Sequence, residues 1–182
     1  MLNESGLSKR YLNVKLTDYK LHSAEYEHAM KCAQNLLANP DSTGILLLGK
    51  VGTGKTILAS IIIKEFISKY KKPAQIISAL RLFRQVKQTY GSKTENEADV
   101  IEGFSRIPLL VIDEIGVQYN SQTEQTILMD IIDSRYNNML PTVLVGNVTL
   151  TELSEIIGIK GIDRIYPQSP LHLATFTGKS QR

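Results

Sequence analysis

A glycine-rich segment of eight residues carries the clearest chemical signal in this sequence. Its pattern, G-x-x-x-x-G-K-T, follows the apolar run 45–48 and precedes a predicted helix over 57–70. Glycines allow the backbone to curl so that its N–H groups point inward, and the positive end of the next helix attracts anions. The pattern predicts a phosphate-binding loop. Its residues are Gly49, Lys50, Val51, Gly52, Thr53, Gly54, Lys55 and Thr56.

Two side chains of this loop have the chemistry that a bound nucleoside triphosphate requires. Lys55 would reach the terminal phosphates, and the Thr56 hydroxyl would ligate Mg²⁺. A structural glycine-rich turn is the alternative. The strand–loop–helix context favours phosphate binding, so we predict a nucleoside triphosphate site.

Two acidic residues end another apolar run. Residues 109–112 are Leu-Leu-Val-Ile and predict a buried strand, which Asp113 and Glu114 follow directly. Beside a phosphate-binding loop, Asp113 would hold Mg²⁺ through its water ligands, and Glu114 would orient and polarise the attacking water. Structural pairing of the two carboxylates is the alternative.

A third polar position follows the apolar run 142–145. Asn147 would touch the terminal phosphate or the attacking water. The alternative is an Asx turn that leads into the next helix. Taken alone, the residue does not separate these two interpretations, although the other motifs favour the first.

Apolar runs alternate with helical patterns along the chain, which indicates a parallel α/β sheet with right-handed crossovers. The predicted strands are 45–48, 75–78, 109–112, 142–145 and 171–176, with a further short strand possible over 11–16. Ligands of such sheets bind beyond the carboxyl ends of the strands. The loop, the acid pair and Asn147 all fall at such ends, which indicates one nucleotide site.

Polar residues predict where the helices begin and end. Ser23 would cap a helix over 24–38, and a helix over 150–157 would end at Gly158. Helices over 80–90 and 121–137 are also predicted. Three Ser/Thr-x-x-Glu patterns predict capping boxes: Thr94 with Glu97, Ser121 with Glu124, and Thr149 with Glu152.

Composition bounds the protein class. With 182 residues, 42% hydrophobic and 21% charged, the chain predicts one globular domain over 1–182, with a lead-in segment over 1–22. The single cysteine excludes a disulfide framework within the chain. There is neither a signal-peptide pattern nor an apolar run of about 20 residues, so we expect a cytoplasmic protein without a membrane partner.

A basic stripe lies on the helix predicted over 80–90. Arg81, Arg84 and Lys87 are spaced three residues apart. Such a stripe is either a solvated helix face or a contact for nucleic-acid phosphates. The basic end of the chain, with Lys179 and Arg182, is also compatible with a nucleic-acid contact.

These motifs together resemble the AAA+ ATPases of the DnaC-type replicative helicase loaders, which are related to the IstB-type transposition helpers. The resemblance runs from about Ser5 to Arg182. Besides the loop and the Asn147 strand, it rests on four segments, which are the opening Ser5-Gly6-Leu7 through Tyr19, Asp113-Glu114-Ile115-Gly116-Val117-Gln118, Asp163-Arg164 and the tail Gly178-Lys179-Ser180-Gln181-Arg182.

The resemblance implies a three-layer core with a five-stranded parallel sheet and no carboxyl-terminal helical lid. It implies that ATP with Mg²⁺ binds between neighbouring subunits, with Arg164 reaching the γ-phosphate of the neighbour. It also implies single-stranded DNA and a replicative helicase as partners, and self-association through ATP-bridged interfaces.

This sequence departs from the family pattern in two places. The ATPase module begins almost at Met1, so we expect the usual amino-terminal helicase-binding region to be absent. Lys160 occupies the place where the DnaC branch tends to have a second arginine. Because lysine lacks the planar fork of arginine, we expect a weaker second phosphate contact.

Three functions are compatible with these residues. The first is an ATPase that hydrolyses slowly unless assembled and helps to load a replicative helicase, with an IstB-like transposition helper as the alternative. The second is a module whose grip on single-stranded DNA depends on ATP. The third, a small-molecule kinase, is disfavoured because no arginine-bearing lid insertion is evident and Glu114 beside Asp113 suits hydrolysis. The lead-in around 10–16 is a candidate for contacts to adenine.

Overall fold

Five strands and seven helices form the described part of the chain. The computed structural model describes residues 1–20, 22–39, 41, 44–92, 94, 96–116, 121–167 and 169–178. The strands are β1 (Gly44–Gly49), β2 (Ala74–Ser78), β3 (Leu109–Ile115), β4 (Thr142–Gly146) and β5 (Leu173–Phe176). The helices are α1 (Lys9–Leu12), α2 (Ala24–Ala38), α3 (Lys55–Tyr70), α4 (Ala79–Gln88), α5 (Glu97–Arg106), α6 (Gln122–Asn137) and α7 (Leu150–Ile165).

The five strands form one parallel sheet in the order β2-β3-β4-β1-β5. This confirms the predicted α/β class and its five-stranded parallel sheet. Strands β3, β4 and β1 are neighbours, so their carboxyl ends lie side by side at one edge of the sheet. The sheet therefore brings together the three segments in which the sequence places polar chemistry.

Two layers of helices cover the sheet. Successive strand side chains point to opposite faces, so Ile45 and Leu47 pack with α2 and α3, while Leu46 and Leu48 pack with α4, α6 and α7. Both faces of the central strands are buried, which explains their continuous apolar runs. Among the described residues, no helix has the length and apolar character needed to cross a membrane.

The lead-in differs from its prediction. The strand considered over 11–16 is wrong, because α1 covers Lys9–Leu12 and a 3₁₀ turn covers Leu16–Asp18. An earlier segment reaches the sheet instead, since the Ile76 amide of edge strand β2 donates to the Ser5 carbonyl at 2.8 Å. The edge of β2 is thus partly covered, and residues 11–16 are free to form helical turns.

Helix boundaries follow the capping patterns in part. Thr149 and Glu152 form the predicted reciprocal capping box of α7. The Ser121 hydroxyl accepts from the Glu124 amide, but the Glu124 carboxylate contacts Lys87. The Thr94–Glu97 prediction is wrong, because the side chain of Asn96 caps α5 by accepting from the Ala98 amide.

Helix α7 also continues beyond its predicted end. Gly158 has φ 70° and ψ 164°, a conformation that bends the chain, and helix resumes to Ile165. The second half buries Ile162 and Ile165 against the core, so packing continues past the glycine. Arg164 therefore lies on a helix. Residues 117, 118 and 179–182, which contribute to the family resemblance and the basic tail, lie outside the described residues.

Candidate nucleotide-binding site

The phosphate-binding loop connects β1 to α3 and is held by β5. Gly49 has φ 123°, and a Cβ there would lie 2.1 Å from the Phe176 carbonyl oxygen, so only glycine permits this approach. The Lys50 amide donates to the same oxygen at 2.9 Å. Gly54 is the N-cap of α3 with φ 86°, a left-handed conformation that places the loop at the positive end of this helix.

Lys55 is buried beneath the loop, with 5% of its surface exposed. Its Nζ donates to the carbonyl oxygens of Gly49 at 2.7 Å and Lys50 at 2.6 Å. Burial lowers the pKa of Lys55, while the nearby Asp113 carboxylate opposes that shift. Thr53 also supports the loop, because its hydroxyl donates to the Lys50 carbonyl at 2.8 Å. The loop thus positions an ammonium group where an anion would neutralise it.

Asp113 lies at the carboxyl end of β3, close to Thr56. Burial raises the pKa of Asp113, and hydrogen bonds from the Glu114 amide and the Thr56 hydroxyl partly offset the shift. The Glu114 amide donates to Asp113 Oδ1 at 2.7 Å. No group of three or more His, Cys, Asp or Glu residues that could hold a metal occurs in the described ranges. One carboxylate and one hydroxyl fit Mg²⁺, which takes its remaining ligands from water and phosphates.

Glu114 has a strained backbone. Its φ is 61°, and the pairing of β3 with β4 shifts register between Ile112 and Ile115. A left-handed conformation costs a residue other than glycine about 1–2 kcal/mol, and bulges of this kind redirect side chains next to active sites. The consequence is that Glu114 turns out of the strand alternation and is exposed.

Asn147 follows β4 and is exposed. Thr149, not Asn147, provides the N-cap of α7, and its reciprocal box with Glu152 is complete. Within the described part of the chain, the Asn147 side chain makes no hydrogen bond that would define an Asx turn. The geometry therefore favours an amide that is available to a ligand.

A cavity of about 400 Å³ brings these segments together. This volume is typical of small-molecule sites. It is lined by Arg10, Tyr11, Val51, Gly52, Thr53, Gly54, Lys55, Thr56, Ile57, Asp113, Glu114, Gly146 and Asn147. Gly49 and Lys50 support the site from behind through their carbonyl oxygens.

The lead-in contributes one wall of this cavity. Arg10 and Tyr11 of α1 are lining residues, which lie within the segment considered for adenine contacts. The ring of Tyr19 lies close to the loop: a Cβ added at Gly54 would be 3.7 Å from it. Its hydroxyl is the one buried side-chain polar atom without a partner among the described residues. No sequence pattern indicated Tyr19, since the segment around it shows no periodicity.

Arg164 does not line this cavity. On α7, its Nε donates to Asp133 Oδ1 at 2.6 Å, and its guanidinium carbon lies 4.6 Å from the centre of the Tyr136 ring. The structure thus brings the loop, the acid pair and Asn147 together within one subunit and leaves Arg164 on a separate surface.

The structure also divides the basic stripe of α4. Lys87 forms an ion pair with the mostly buried Glu124 at 2.6 Å. Arg81 and Arg84 are exposed and line a groove of about 420 Å³ beside the edge strand β2. Two of the three cations therefore face an open surface, whereas the third connects α4 to α6.

The geometry defines a class of protein, the phosphate-loop nucleotide-binding proteins with a parallel α/β core. Comparison with known sequences identifies the family. Residues 8–165 match the sequence profile of the family described as IstB-like ATP binding protein, and the chain belongs to this family.

Several of the similar proteins are named for a role in replication. The chain is 29% identical to the replicative helicase loader DnaC of Escherichia coli K12 over 165 residues, which cover 90% of this chain and 67% of that protein. The crystal structure of the DnaC helicase loader superposes with a TM-score of 0.80 at 23% identity, covering 93% of this chain and all of that chain. The replication initiator DnaA bound to AMPPCP and single-stranded DNA superposes at 0.75 with 18% identity, covering 95% and 51%.

Proposed function

We propose that this protein is an ATPase switch that helps to load a replicative helicase onto single-stranded DNA. The observation that carries the proposal is the meeting of Lys55, Asp113, Glu114 and Asn147 at one cavity of an IstB-like ATP-binding protein. Its similarity to replicative helicase loaders supports the choice of partner. A transposition helper is the second candidate, favoured by the IstB-like description of the family.

Transfer of a phosphoryl group to water requires positioning and charge neutralisation more than covalent chemistry by the protein. Lys55 would neutralise the terminal phosphates, and the exposed Glu114 would orient and polarise the attacking water. Asn147 would fix either that water or the terminal phosphate. Thr56 and Asp113 would hold Mg²⁺, which supplies further charge neutralisation when bound.

Among the described residues, no arginine lines the cavity of a single subunit beside the phosphate-binding loop, apart from one on the lead-in wall. Arg10 is the one arginine that lines the cavity among the described residues, and it lies on the lead-in wall. We propose that Arg164 of a neighbouring subunit completes the site. An arginine supplied in this way contributes about 10³–10⁵ in rate, so an isolated subunit would hydrolyse ATP slowly.

The groove beside β2 is the proposed contact for single-stranded DNA. Arg81 and Arg84 are exposed there and accompanied by Gln85 and Gln88. Cations in a groove follow the phosphate backbone without reading sequence. A solved DnaA structure with this fold is bound to single-stranded DNA, which supports nucleic acid as the ligand class.

Two variants of the site test the proposal. Glu114→Gln should bind ATP with unchanged affinity and lose hydrolysis by about 10²-fold or more, because the water is no longer polarised. The variant should therefore retain the host's replicative helicase in a pull-down with ATP. Lys55→Ala, the matched control, should lose both ATP binding and ATP-dependent capture.

The capture experiment separates the candidate functions. Helicase capture that requires ATP and increases with Glu114→Gln supports the loader. Absence of helicase capture together with ATP-dependent capture of a transposase would instead support the transposition helper. Equal ATP affinity in the wild type and Lys55→Ala would contradict the nucleotide site itself.

A further inference from the structure

Arg164 is held in place by two residues of the adjacent helix. Asp133 accepts its Nε hydrogen bond at 2.6 Å, and the ring of Tyr136 lies against the guanidinium, 4.6 Å from its central carbon. Asp133 and Tyr136 are three residues apart on α6, so they present one face to α7. The contact therefore joins two helices within one subunit and needs no neighbour to form.

This contact does little for stability. The Arg164 side chain is 33% exposed and the Asp133 side chain 43% exposed, and ion pairs at such exposure contribute little because water screens them. The hydrogen bond from Arg164 to Asp133 raises the pKa of the guanidinium above its ordinary value, so the charge is permanent. What the contact provides is a fixed orientation of a charged group at a surface.

We propose that Asp133 and Tyr136 are positioning residues for Arg164. The inference rests on the proposed role of Arg164 at a neighbouring ATP site. The Asp133 carboxylate accepts a hydrogen bond from Nε, which lies on one edge of the guanidinium. This bond fixes the direction in which the Arg164 side chain extends. The ring restricts the plane of the guanidinium, so the group is presented to a phosphate in one orientation.

Orientation matters because an arginine side chain has many rotamers. Freezing such a side chain on binding is costly, and misplacement of a reacting group by about 1 Å can lower a rate by about 100-fold. A guanidinium that is already oriented avoids part of both losses. Loss of this orientation should lower turnover in the assembled protein and leave ATP binding by the subunit unchanged.

The structure offers a matched control on the same helix. Asp130 is exposed on α6 and has no ion pair in the ranges described, so Asp130→Ala makes the same chemical change as Asp133→Ala without touching Arg164. The experiment measures kcat and KM for ATP with the full chain, at protein concentrations where wild-type turnover per subunit has reached its plateau. Thermal unfolding is recorded for each variant.

Asp133→Ala removes the acceptor of the Arg164 Nε hydrogen bond and should lower kcat by about 10-fold with KM for ATP unchanged. Asp130→Ala should keep the wild-type kcat, and the two variants should unfold at the same temperature. A merely structural role of Asp133 would lower the unfolding temperature and leave kcat of the folded protein unchanged. That result would overturn the inference, as would an increase in kcat, which would mean that Asp133 restrains Arg164.

Arg164→Ala, measured in parallel, separates this inference from the proposed function. If Arg164→Ala keeps wild-type turnover, the proposed role of Arg164 fails and the positioning role fails with it. If Arg164→Ala loses turnover while Asp133→Ala matches Asp130→Ala, only the positioning role fails.

Discussion

Two arginines on neighbouring helices, Arg135 of α6 and Arg164 of α7, have opposite surroundings. Arg135 is completely buried, and its guanidinium donates only to neutral oxygen atoms. The acceptors are the Thr142 hydroxyl and the carbonyl oxygens of Phe104, Ser105, Ile107 and Pro141. Arg164 is partly exposed and contacts a carboxylate and an aromatic ring.

The difference shows how surroundings decide what a cation does. Arg135 joins the end of α5 to the start of β4, and the negative end of the α5 dipole favours its charge. Burial lowers the pKa of Arg135 to about 9, so the guanidinium stays charged at neutral pH. Each of its three nitrogen atoms donates to an acceptor inside the fold, which makes it a structural residue. Arg164 presents its charge at a surface, where a ligand can reach it.

The largest expected effect comes from Arg164→Met. Removing a cation from a phosphate-transfer site should lower assembly-dependent turnover by about 10³-fold or more. The free energy of unfolding should change by less than about 0.5 kcal/mol, because the side chain is partly exposed and its ion pair is screened by water. Steady-state ATPase assays and urea unfolding measure the two quantities. A large loss of stability would contradict the contrast with Arg135.

Arg135→Met should show the reverse pattern. It leaves several buried carbonyl groups without donors, so the free energy of unfolding should fall by about 3–5 kcal/mol. Turnover per folded subunit should stay near the wild-type value, because no described contact joins Arg135 to the cavity. Arg135→Lys should recover only part of the loss, since an ammonium has three donors. A wild-type midpoint in urea would refute the structural role.

The sequence contained a signal for Arg135 that only the structure makes readable. The apolar face of α6 includes Ile127, Leu128, Ile131 and Ile132, and Arg135 continues that helical spacing four residues after Ile131. A cation at a core position of a helix indicates buried hydrogen-bond acceptors around it. Those partners come from α5 and β4, distant in sequence, so the sequence alone does not identify them.

The central part of the site was predictable because local chemistry defines it. The loop, the acid pair and Asn147 each follow an apolar run, and a parallel sheet brings such positions to one edge. The short lead-in turns and the continuation of α7 past Gly158 were not predictable. They depend on packing against α3 and the core, which local patterns do not encode. The different surroundings of Lys87, which pairs with Glu124, and of Arg84, which lines the groove, are likewise set by tertiary contacts.

A smaller effect tests the charge of Asp113, which lies at the nucleotide site. Because burial raises the pKa of Asp113, its ionised form costs the nucleotide-free protein stability at neutral pH. Asp113→Asn should therefore raise Tm by a few degrees while abolishing Mg²⁺-dependent hydrolysis.

The pH dependence of that gain has a definite sign. The folded state binds the Asp113 proton more tightly than the unfolded state, so the cost is complete above the folded-state pKa. It should disappear as the pH falls from that value toward 3.8, the ordinary pKa of the group. Thermal unfolding between pH 7 and pH 4 measures this. If the Tm gain of Asp113→Asn instead grows as the pH falls, the pKa of Asp113 is not raised in the folded state.

The smallest effect concerns cations on α4. Arg84→Gln should reduce the slope of log affinity for single-stranded DNA against log salt concentration by about 0.7, the value for one phosphate contact. Lys87→Gln should leave the slope unchanged and lower stability, because Glu124 loses its ion pair. Titrations over a range of salt concentrations measure both slopes. Equal reductions would mean that the Lys87–Glu124 pair opens on DNA.

The most direct test of the composite site is a mixing experiment. Arg164→Met subunits keep an intact ATP cavity but no donor arginine, whereas Glu114→Gln subunits keep Arg164 and cannot hydrolyse. If Arg164 acts on the neighbouring subunit, each variant alone should be nearly inactive and their mixture should regain part of the wild-type turnover. A mixture that stays as inactive as the separate variants would contradict a site shared between subunits.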